Sequence, residues 1–335
     1  MMVGAGRAAE SLHLPAAAMT AQVTTSVIAD RNLERAREVA RNYGVEQAVA
    51  GAEEGKAFAD AAILALPHHL HAQVARELLE AGLHVLVEKP LALTAAECAE
   101  LGTIASERRL VLEVGMVRRR FPALRFVKRA LERELLGGIR RVTLEEGMPF
   151  AWEVTSDFTF RRETGGGVLA DSGIHVLDLL AWWFGELEPV AYSDDDMGGV
   201  EAESQFTLRL PSGAPVEVEL SRTRELRNSI IIEGERGSLE AGLAFGGALR
   251  LDIGEAPLLI GQAQPHASEA GGDYQNVREL FIEQLENFRD SIWGTSSPLV
   301  DASEAMVAVG LLERLRAMRE PLELPWVTAN TTRAA

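Results

Sequence analysis

The chain has 335 residues, a formal net charge of −17 at pH 7, 47% hydrophobic residues and 25% charged residues. At about 150 residues per domain this length predicts two domains, and the composition is typical of a folded globular protein. The acidic charge argues against DNA or RNA binding and against a polybasic membrane anchor, because both need a basic face.

Cysteine usage and hydropathy narrow the class of protein further. Cys98 is the single cysteine, which excludes an internal disulfide and a cysteine-based zinc site and is typical of a reducing compartment. No apolar run approaches the roughly 18 residues of a membrane span, and the first residues lack the pattern of a signal peptide. We therefore expect a cytoplasmic protein without membrane or nucleic-acid partners.

Residues 1–117 alternate short apolar runs with segments of helical spacing. Strands are predicted at 23–29, 61–66, 84–87 and 110–116, and helices at 32–43, at 70–80 before Gly82, and from Thr94, where Glu97 completes a capping box. Strand–helix repetition with short turns predicts an α/β domain whose parallel sheet is covered on both faces.

After about residue 117 the pattern changes to that of a second domain. Strands are predicted at 139–145, 190–192, 205–210, 216–220, 229–233 and 238–241, helices at 174–183, 276–293 and 302–319, and a loop at 256–273. We predict an α+β domain over 118–335, with a large, mainly antiparallel sheet and helices on one face. The last residues are expected to pack back on the first domain.

A glycine-rich turn stands at the start of the first domain. Gly4, Gly6 and Ala9 fit the pattern G-x-G-x-x-A, with Arg7 and Ala8 at the variable positions. The first glycine permits a tight turn, the second lets backbone amides approach a pyrophosphate, and the small third residue lets helix and strand pack closely. Few residues precede this turn, so we expect either a shortened first strand or a start further upstream.

Asp30 ends the next predicted strand. A carboxylate at this point accepts hydrogen bonds from the ribose hydroxyls of a dinucleotide and repels a 2′-phosphate, which favours NAD. Arg31 follows directly and leaves NADP binding open. Asp30 is also suited to capping the helix that follows, and the two roles are compatible.

Two charged segments are candidates for catalysis. Glu88 and Lys89 follow a buried strand, where partial desolvation readies a lysine for proton transfer; a surface ion pair is the alternative. Asp171 and His175 stand four residues apart at the start of a helix, so they share one face. A histidine beside a carboxylate holds one tautomer and moves protons near neutral pH; an N-cap aspartate and a core histidine are the alternative.

Together these features resemble the Gfo/Idh/MocA family of sugar and inositol oxidoreductases over nearly the whole chain. The resemblance rests on Gly4, Gly6, Asp30, Pro67 with His71, residues 82–85 leading into Glu88, Lys89 and Pro90, residues 120–122, and Gly166 and Gly167 through Asp171, His175 and Asp178. It implies a Rossmann-type domain followed by a domain whose open sheet makes homodimers or homotetramers. It also implies that Lys89 is the catalytic lysine and that Asp171 and His175 complete the site.

The resemblance implies hydride transfer between a nicotinamide cofactor and the carbinol or keto carbon of a sugar, cyclitol or related polyol. His175 accepts the hydroxyl proton in oxidation, Lys89 binds the same oxygen, and Asp171 orients either group or holds a neighbouring hydroxyl; the roles of Lys89 and His175 are interchangeable at this stage. An NAD-retaining glycosidase and a non-catalytic NAD-binding sensor remain alternatives. We assign the cofactor to Gly4, Gly6, Arg7, Ala8, Asp30, Arg31, Leu66, Pro67, His71, Glu88 and Lys89.

Further residues are candidates for contacts with the substrate. Arg120 belongs to a basic run, Arg118 to Arg120, that is either a solvated linker or a contact for an anionic substrate group. Trp152 and Arg161 precede the glycines at 165–167 and are predicted to line the pocket together with Lys89, Asp171 and His175. The histidines at 68, 69 and 71 lack a carboxylate or cysteine at ligand spacing, so we predict no metal site.

Overall fold

Six parallel strands form the first sheet, in the order β3-β2-β1-β4-β5-β6. The computed structural model describes residues 1–151, 157–254, 256–261 and 273–322 of the chain. The strands of this sheet are β1 (Met2–Val3), β2 (Val27–Ala29), β3 (Gln47–Val49), β4 (Ala61–Leu64), β5 (His84–Val87) and β6 (Leu112–Val114). The helices between them are α1 (Leu14–Met19), α2 (Leu33–Tyr43), α3 (Ala52–Gly55), α4 (His68–Glu80) and α5 (Ala95–Arg108).

Local signals set most of these bounds. Thr94 and Glu97 form the predicted capping box of α5, and Gly82 adopts a φ of +90° just past the end of α4. The strand predicted from residue 23 begins only at Val27, because Val23 packs against an apolar cluster without joining the sheet. The apolar pattern thus indicated the packing of Val23 correctly, but it placed the start of the strand too early.

The first strand has two residues and lies in the middle of the sheet. Met2 pairs with Ile28 on one side and Ile63 on the other, and all three side chains pack in or against one cluster under α2. The amino group of Met1 donates a hydrogen bond of 2.8 Å to the Ala61 carbonyl. Burial lowers the pKa of this amino group to about 6.

Nine strands form the second sheet, in the order β14-β13-β12-β11-β7-β10-β9-β8-β15. Only the pairs β7–β10 and β8–β15 are parallel, so the sheet is mainly antiparallel, as predicted. The strands are β7 (Ile139–Gly147), β8 (Glu188–Asp194), β9 (Glu203–Arg209), β10 (Pro215–Ser221), β11 (Ser229–Gly234), β12 (Gly237–Gly242), β13 (Leu249–Ile253), β14 (Ala256–Gly261) and β15 (Arg319–Pro321), and the helices with them are α6 (Pro122–Glu132) and α7 (Ile174–Phe184).

The two faces of the second sheet differ in chemistry. Along β7 and β10 the buried side chains on the apolar face include Val142, Leu144, Val216, Val218 and Leu220, and α6 packs against β12 and α7. The alternate residues form the outer face, which carries ion pairs within one strand or between neighbouring strands and turns. These pairs are Arg141–Glu217, Arg209–Glu188, Arg224–Glu219, Arg227–Glu240 and Arg250–Asp252.

The last two helices lie wholly or partly in the first unit. The chain divides into two compact units after Val117, and the described residues from Asp273 to Gly310 group with the first unit, whereas the sequence pattern placed them in a second domain over 118–335. They comprise α8 (Asp273–Ile292) and the first part of α9 (Ala302–Ala317). Phe281, Leu285 and Phe288 of α8 join an apolar cluster with Leu86 of β5, which is why this segment belongs to the first unit.

The end of the described chain also differs from expectation. The predicted helix stops at Ala317, and β15 extends the second sheet beside β8, where Leu322 donates to the Asp194 carbonyl. Arg319 pairs there with the buried Asp194 carboxylate. Residues 319–322 therefore join the second unit, and the rest of the segment predicted to pack back, within 323–335, lies outside the described residues.

Candidate functional site

The glycine turn after β1 is closed by the backbone around it. Gly4 has a φ of +97°, its amide donates to the Ala29 carbonyl over 2.8 Å, and a Cβ there would lie 2.2 Å from the Ala65 oxygen. Only glycine fits this position. The following helical stretch begins with the Glu10 amide bonded to the Gly6 carbonyl and passes through a π-helical turn, Ala9–His13, before α1.

Asp30 holds this turn from the neighbouring strand. One carboxylate oxygen accepts from the Ala5 amide and the other from the Asn32 amide, each over 2.8 Å. Asn32, rather than Asp30, caps α2, because its side chain accepts from the Arg35 amide. A carboxylate has about four acceptor positions, so Asp30 keeps capacity for ribose hydroxyls. Arg31 beside it is exposed.

Arg35 is a residue of this site that the sequence did not indicate. Its Nε donates to the Ala5 carbonyl over 3.1 Å, and its guanidinium also pairs with Glu10 and Glu38. Arg35 therefore ties α2 to the glycine turn and to the helix behind it. The signal was hidden because a charged residue on an amphipathic helix usually faces solvent.

The residues after β4 and β5 are joined by a histidine. His71 is fully buried, with Nδ1 2.7 Å from the Pro90 carbonyl oxygen and Nε2 2.8 Å from that of Leu66. Burial lowers the pKa of its imidazole. Pro67, half-buried, precedes α4. His71 is thus placed to shape both loops, and among the described residues no group of three or more potential ligands gathers around a metal position.

Lys89 lies just past the carboxyl end of β5 and is half-buried. The peptide bond between Lys89 and Pro90 is cis. Burial alone would raise the pKa of the neighbouring Glu88 carboxyl, but a hydrogen bond from His13 and the charges of His13 and Lys89 hold that pKa below its usual value. Glu88 is therefore ionised at neutral pH, beside the candidate catalytic lysine.

The first unit has the features that a dinucleotide needs. Because all six strands are parallel, the glycine turn, Asp30 and Lys89 lie at one edge of the sheet, where ligands of such sheets bind. A Cβ at Gly6 would meet no atom within 4 Å, so the protein itself does not require glycine there. The open backbone and the helix start that follows suit a pyrophosphate. Arg7 and Ala8 are half-buried at this start, and Leu66 is half-buried after β4.

The candidate residues of the second unit follow a glycine turn at 165–167. Gly167 has a φ of +98°, and a Cβ there would lie 2.3 Å from Glu201 Oε1. The Glu201 carboxylate is buried and accepts from the Leu169 amide over 3.1 Å, at the start of a π-helical turn, Leu169–Gly173. Glu201 therefore caps the helical stretch that carries Asp171 and His175. Burial raises the pKa of Glu201.

Asp171 is half-buried in the π-helical turn, and His175 is buried one turn later in α7. Asp171 pairs with Arg222, which follows β10 and which the sequence did not indicate. The Arg222 guanidinium also lies 5.0 Å from the centre of the Phe150 ring. Burial lowers the pKa of Arg222 to about 10, so its guanidinium remains protonated at neutral pH beside Asp171.

The basic run is not a solvated linker. Arg119 and Asp178 are both buried and form two hydrogen bonds, of 2.9 and 2.8 Å. Arg118 binds Glu146 through bonds of 2.6 and 2.7 Å, and Arg120 is 5% exposed. The motif residue Asp178 thus ties the turn just before α6 to α7. The sequence by itself does not distinguish which of the three adjacent arginines pairs with Asp178.

The other two residues predicted to line the pocket are Arg161 and Trp152. Arg161 is exposed and pairs with Asp157 one turn earlier, while its carbonyl accepts from the Gly166 amide over 2.8 Å. Trp152 lies outside the described residues. Lys89 lies in the first unit, and Asp171 and His175 lie in the second.

Comparison with known proteins gives matches in both units. Residues 1–116 match the NAD-binding Rossmann-fold domain of the Gfo/Idh/MocA oxidoreductases, and residues 124–240 match the C-terminal domain of that family. Inositol 2-dehydrogenase from Rhizobium meliloti strain 1021 is 30% identical over 299 residues, which are 85% of this chain and 88% of that protein. Levoglucosan dehydrogenase from Pseudarthrobacter phenanthrenivorans is 28% identical over 252 residues, 64% of this chain and 63% of that protein. This second match spans less than two thirds of the relative.

A solved structure has the same fold. The KijD10 3-ketoreductase from Actinomadura kijaniata, in complex with NADP and TDP-benzene, matches with a TM-score of 0.83 and 21% identity over 97% of this chain and 98% of that chain. Within the described ranges, no helix combines the length and apolar character needed to cross a membrane. The two domain matches, and a 30% identical relative of which 88% is covered, show that the chain belongs to the Gfo/Idh/MocA family of oxidoreductases with an NAD-binding Rossmann domain.

Proposed function

We propose that the protein is an NAD(P)-dependent dehydrogenase or reductase acting on a hydroxyl-bearing or keto carbon of a sugar, cyclitol or related polyol. The observation that carries this proposal is Lys89 at the carboxyl end of β5, on the sheet edge that also bears the glycine turn and Asp30. The names of two relatives, inositol 2-dehydrogenase and levoglucosan dehydrogenase, support the substrate class.

Each candidate site residue is assigned a role that the chemistry of its side chain allows. A bound nicotinamide ring supplies the hydride chemistry. We assign His175 to accept the hydroxyl proton in oxidation and Lys89 to donate a hydrogen bond to the same oxygen and stabilise its developing negative charge. Asp171, which pairs with Arg222, is assigned to orient Lys89 or His175 or to hold a neighbouring substrate hydroxyl, since a carboxylate accepts hydrogen bonds.

The test is a panel of inositols, hexoses, uronic acids and amino sugars with NAD or NADP, followed by the absorbance of the reduced cofactor, and of keto sugars in the reverse direction. We expect turnover with at least one member, and turnover lower by a factor on the order of 100 or more in a Lys89→Ala variant. Cofactor that stays bound after purification, with glycoside cleavage and no net reduced cofactor, would indicate the glycosidase instead. Tight cofactor binding without any turnover would indicate a sensor.

NAD is the proposed physiological cofactor, on the strength of the Asp30 carboxylate. Asp30→Asn removes the charge that repels a 2′-phosphate and keeps one side-chain oxygen, which can accept from either the Ala5 or the Asn32 amide. We expect the affinity ratio of NADH to NADPH, from fluorescence titrations, to fall by about tenfold, because a hydrogen bond to a charged group is lost. Glu34→Gln, exposed in the first turn of α2, is the matched control. An unchanged ratio in Asp30→Asn would remove Asp30 from cofactor selection.

We also propose that two copies assemble through the outer face of the second sheet. Thr143 lies near its centre, paired with Glu217 on one side and Ile231 on the other. A bulky charge there should prevent a second sheet from approaching to about 10 Å. Thr143→Arg is expected to run at the mass of one chain in light scattering, whereas wild type and Thr103→Arg, exposed on α5, run as dimers or tetramers. Equal masses for all three proteins would contradict this interface.

A further inference from the structure

A buried histidine connects the dinucleotide-binding helix to the loop of Lys89. His13 ends the π-helical turn that follows the glycine turn, is 1% exposed, and has its ring edge against Phe281, with the ring centres 5.1 Å apart. Its Nε2 donates a hydrogen bond of 2.8 Å to Oε1 of Glu88. No feature of the glycine motif requires a histidine at this position.

Glu88 also binds the backbone of its neighbour, Lys89. Its second oxygen, Oε2, accepts from the backbone amide of Lys89 over 3.2 Å. One carboxylate oxygen of Glu88 therefore binds the His13 ring, in the helical stretch before α1. The other binds the backbone amide of Lys89, the residue whose side-chain amine is proposed to act in the reaction. The Glu88 side chain is 16% exposed, so water competes little for these bonds.

The surroundings of Glu88 indicate a site kept for function. A Cβ at Gly115, after β6, would lie 3.3 Å from Glu88 Oε1 and 3.4 Å from Gln284 Nε2, so glycine leaves room for both side chains. Gln284 is 2% exposed, and neither polar atom of its amide has a hydrogen-bond partner among the described residues. A buried polar group without a partner destabilises the folded state, so stability does not account for Gln284 at this position.

We propose that His13 and Glu88 are positioning residues for Lys89. Lysine has a long side chain whose freedom must be restricted before its amine can bind one oxygen atom in a fixed place. Holding the Lys89 backbone through Glu88, and Glu88 through His13, fixes the base of that side chain to the helix that begins at the cofactor turn. The negative charge of Glu88 also favours the charged, donating form of the amine. This inference rests on the role proposed for Lys89.

The test measures the Lys89 amine itself and needs no substrate. The chain has three lysines, Lys56, Lys89 and Lys128, so acetylation by a labelled N-hydroxysuccinimide ester can be followed at each one by peptide mass spectrometry. Glu88→Gln and His13→Leu are expected to raise the acetylation rate of Lys89 by about threefold or more, because the charge is removed or the loop is released. Lys56 and Lys128 serve as internal references and should not change.

His13→Gln provides the rescue, since its amide keeps a donor towards Glu88, and its Lys89 rate should stay near that of wild type. His69→Leu and Glu80→Gln, both exposed on α4, are the matched controls. If His13→Leu does not fold, Glu88→Gln and His13→Gln decide the matter. An unchanged Lys89 rate in Glu88→Gln, or an equal rise at all three lysines, would overturn the proposal. Normal turnover in Lys89→Ala would instead refute the role proposed for Lys89 in the reaction, and it would leave the acetylation result unchanged.

Discussion

Replacement of Lys89 with alanine is expected to lower turnover by a factor on the order of 100 or more while NAD affinity stays nearly unchanged. The amine is proposed to act on the reacting oxygen, where charge develops in the transition state. The adenosine and pyrophosphate of the cofactor are assigned to other residues, the glycine turn and Asp30. The loss should therefore appear in kcat, with little change in the NADH dissociation constant from fluorescence titration.

Lys56→Ala is the matched control, because Lys56 is a half-exposed lysine in the same unit that pairs with Glu53 on a short helix. Its turnover should equal that of wild type. Lys89→Arg separates charge from proton transfer, since arginine keeps the positive charge but does not release a proton. If Lys89→Ala retains full turnover with the substrate found in the panel, Lys89 takes no part in the chemistry.

The buried pair of Arg119 and Asp178 is expected to have the largest single effect on stability. Both side chains are at most 3% exposed and meet through two hydrogen bonds. Arg119→Met leaves the Asp178 carboxylate buried without this partner, and such a loss costs about 3–5 kcal/mol of unfolding free energy. Urea unfolding followed by tryptophan fluorescence reports on this region, because Trp182 and Trp183 lie in α7.

The double variant Arg119→Met with Asp178→Leu should recover much of the loss, since removing both charges also removes the desolvation cost of the survivor. Arg250→Met, which breaks an exposed pair with Asp252, should change stability by less than about 1 kcal/mol. An Arg119→Met protein as stable as the Arg250→Met protein would show that the buried pair contributes nothing.

Elements determined by neighbouring residues were predicted well from the sequence. The strand at His84–Val87 and the capping box of Thr94 with Glu97 are found as predicted, because strand alternation and caps depend on residues at most a few positions apart. The mainly antiparallel second sheet and the family assignment were confirmed as well. The glycine turn also followed from local pattern, since Gly4 faces a steric requirement that no other residue meets.

Pairings across the chain were not predictable in this way. Arg222 reaches Asp171 and Arg119 reaches Asp178 from separate elements, and His13 meets Glu88 from a helix that precedes α1. No motif around Arg222 or His13 indicates a buried partner, and Arg119 stands in a run of three arginines. No spacing rule joins residues whose contact depends on how sheets and helices are stacked.

The sequence by itself determined which residue types stand at the carboxyl ends of strands and at helix starts, because short-range sterics and hydrogen bonding act within a few residues. The tertiary structure decided what those residues bind. It assigned α8 to the first unit through Phe281 and its apolar neighbours, and it placed Asp178 beside Arg119, Asp171 beside Arg222 and Arg319 beside Asp194. The physical reason is that burial raises the cost of an unpaired charge, and only the folded chain sets which groups are buried together.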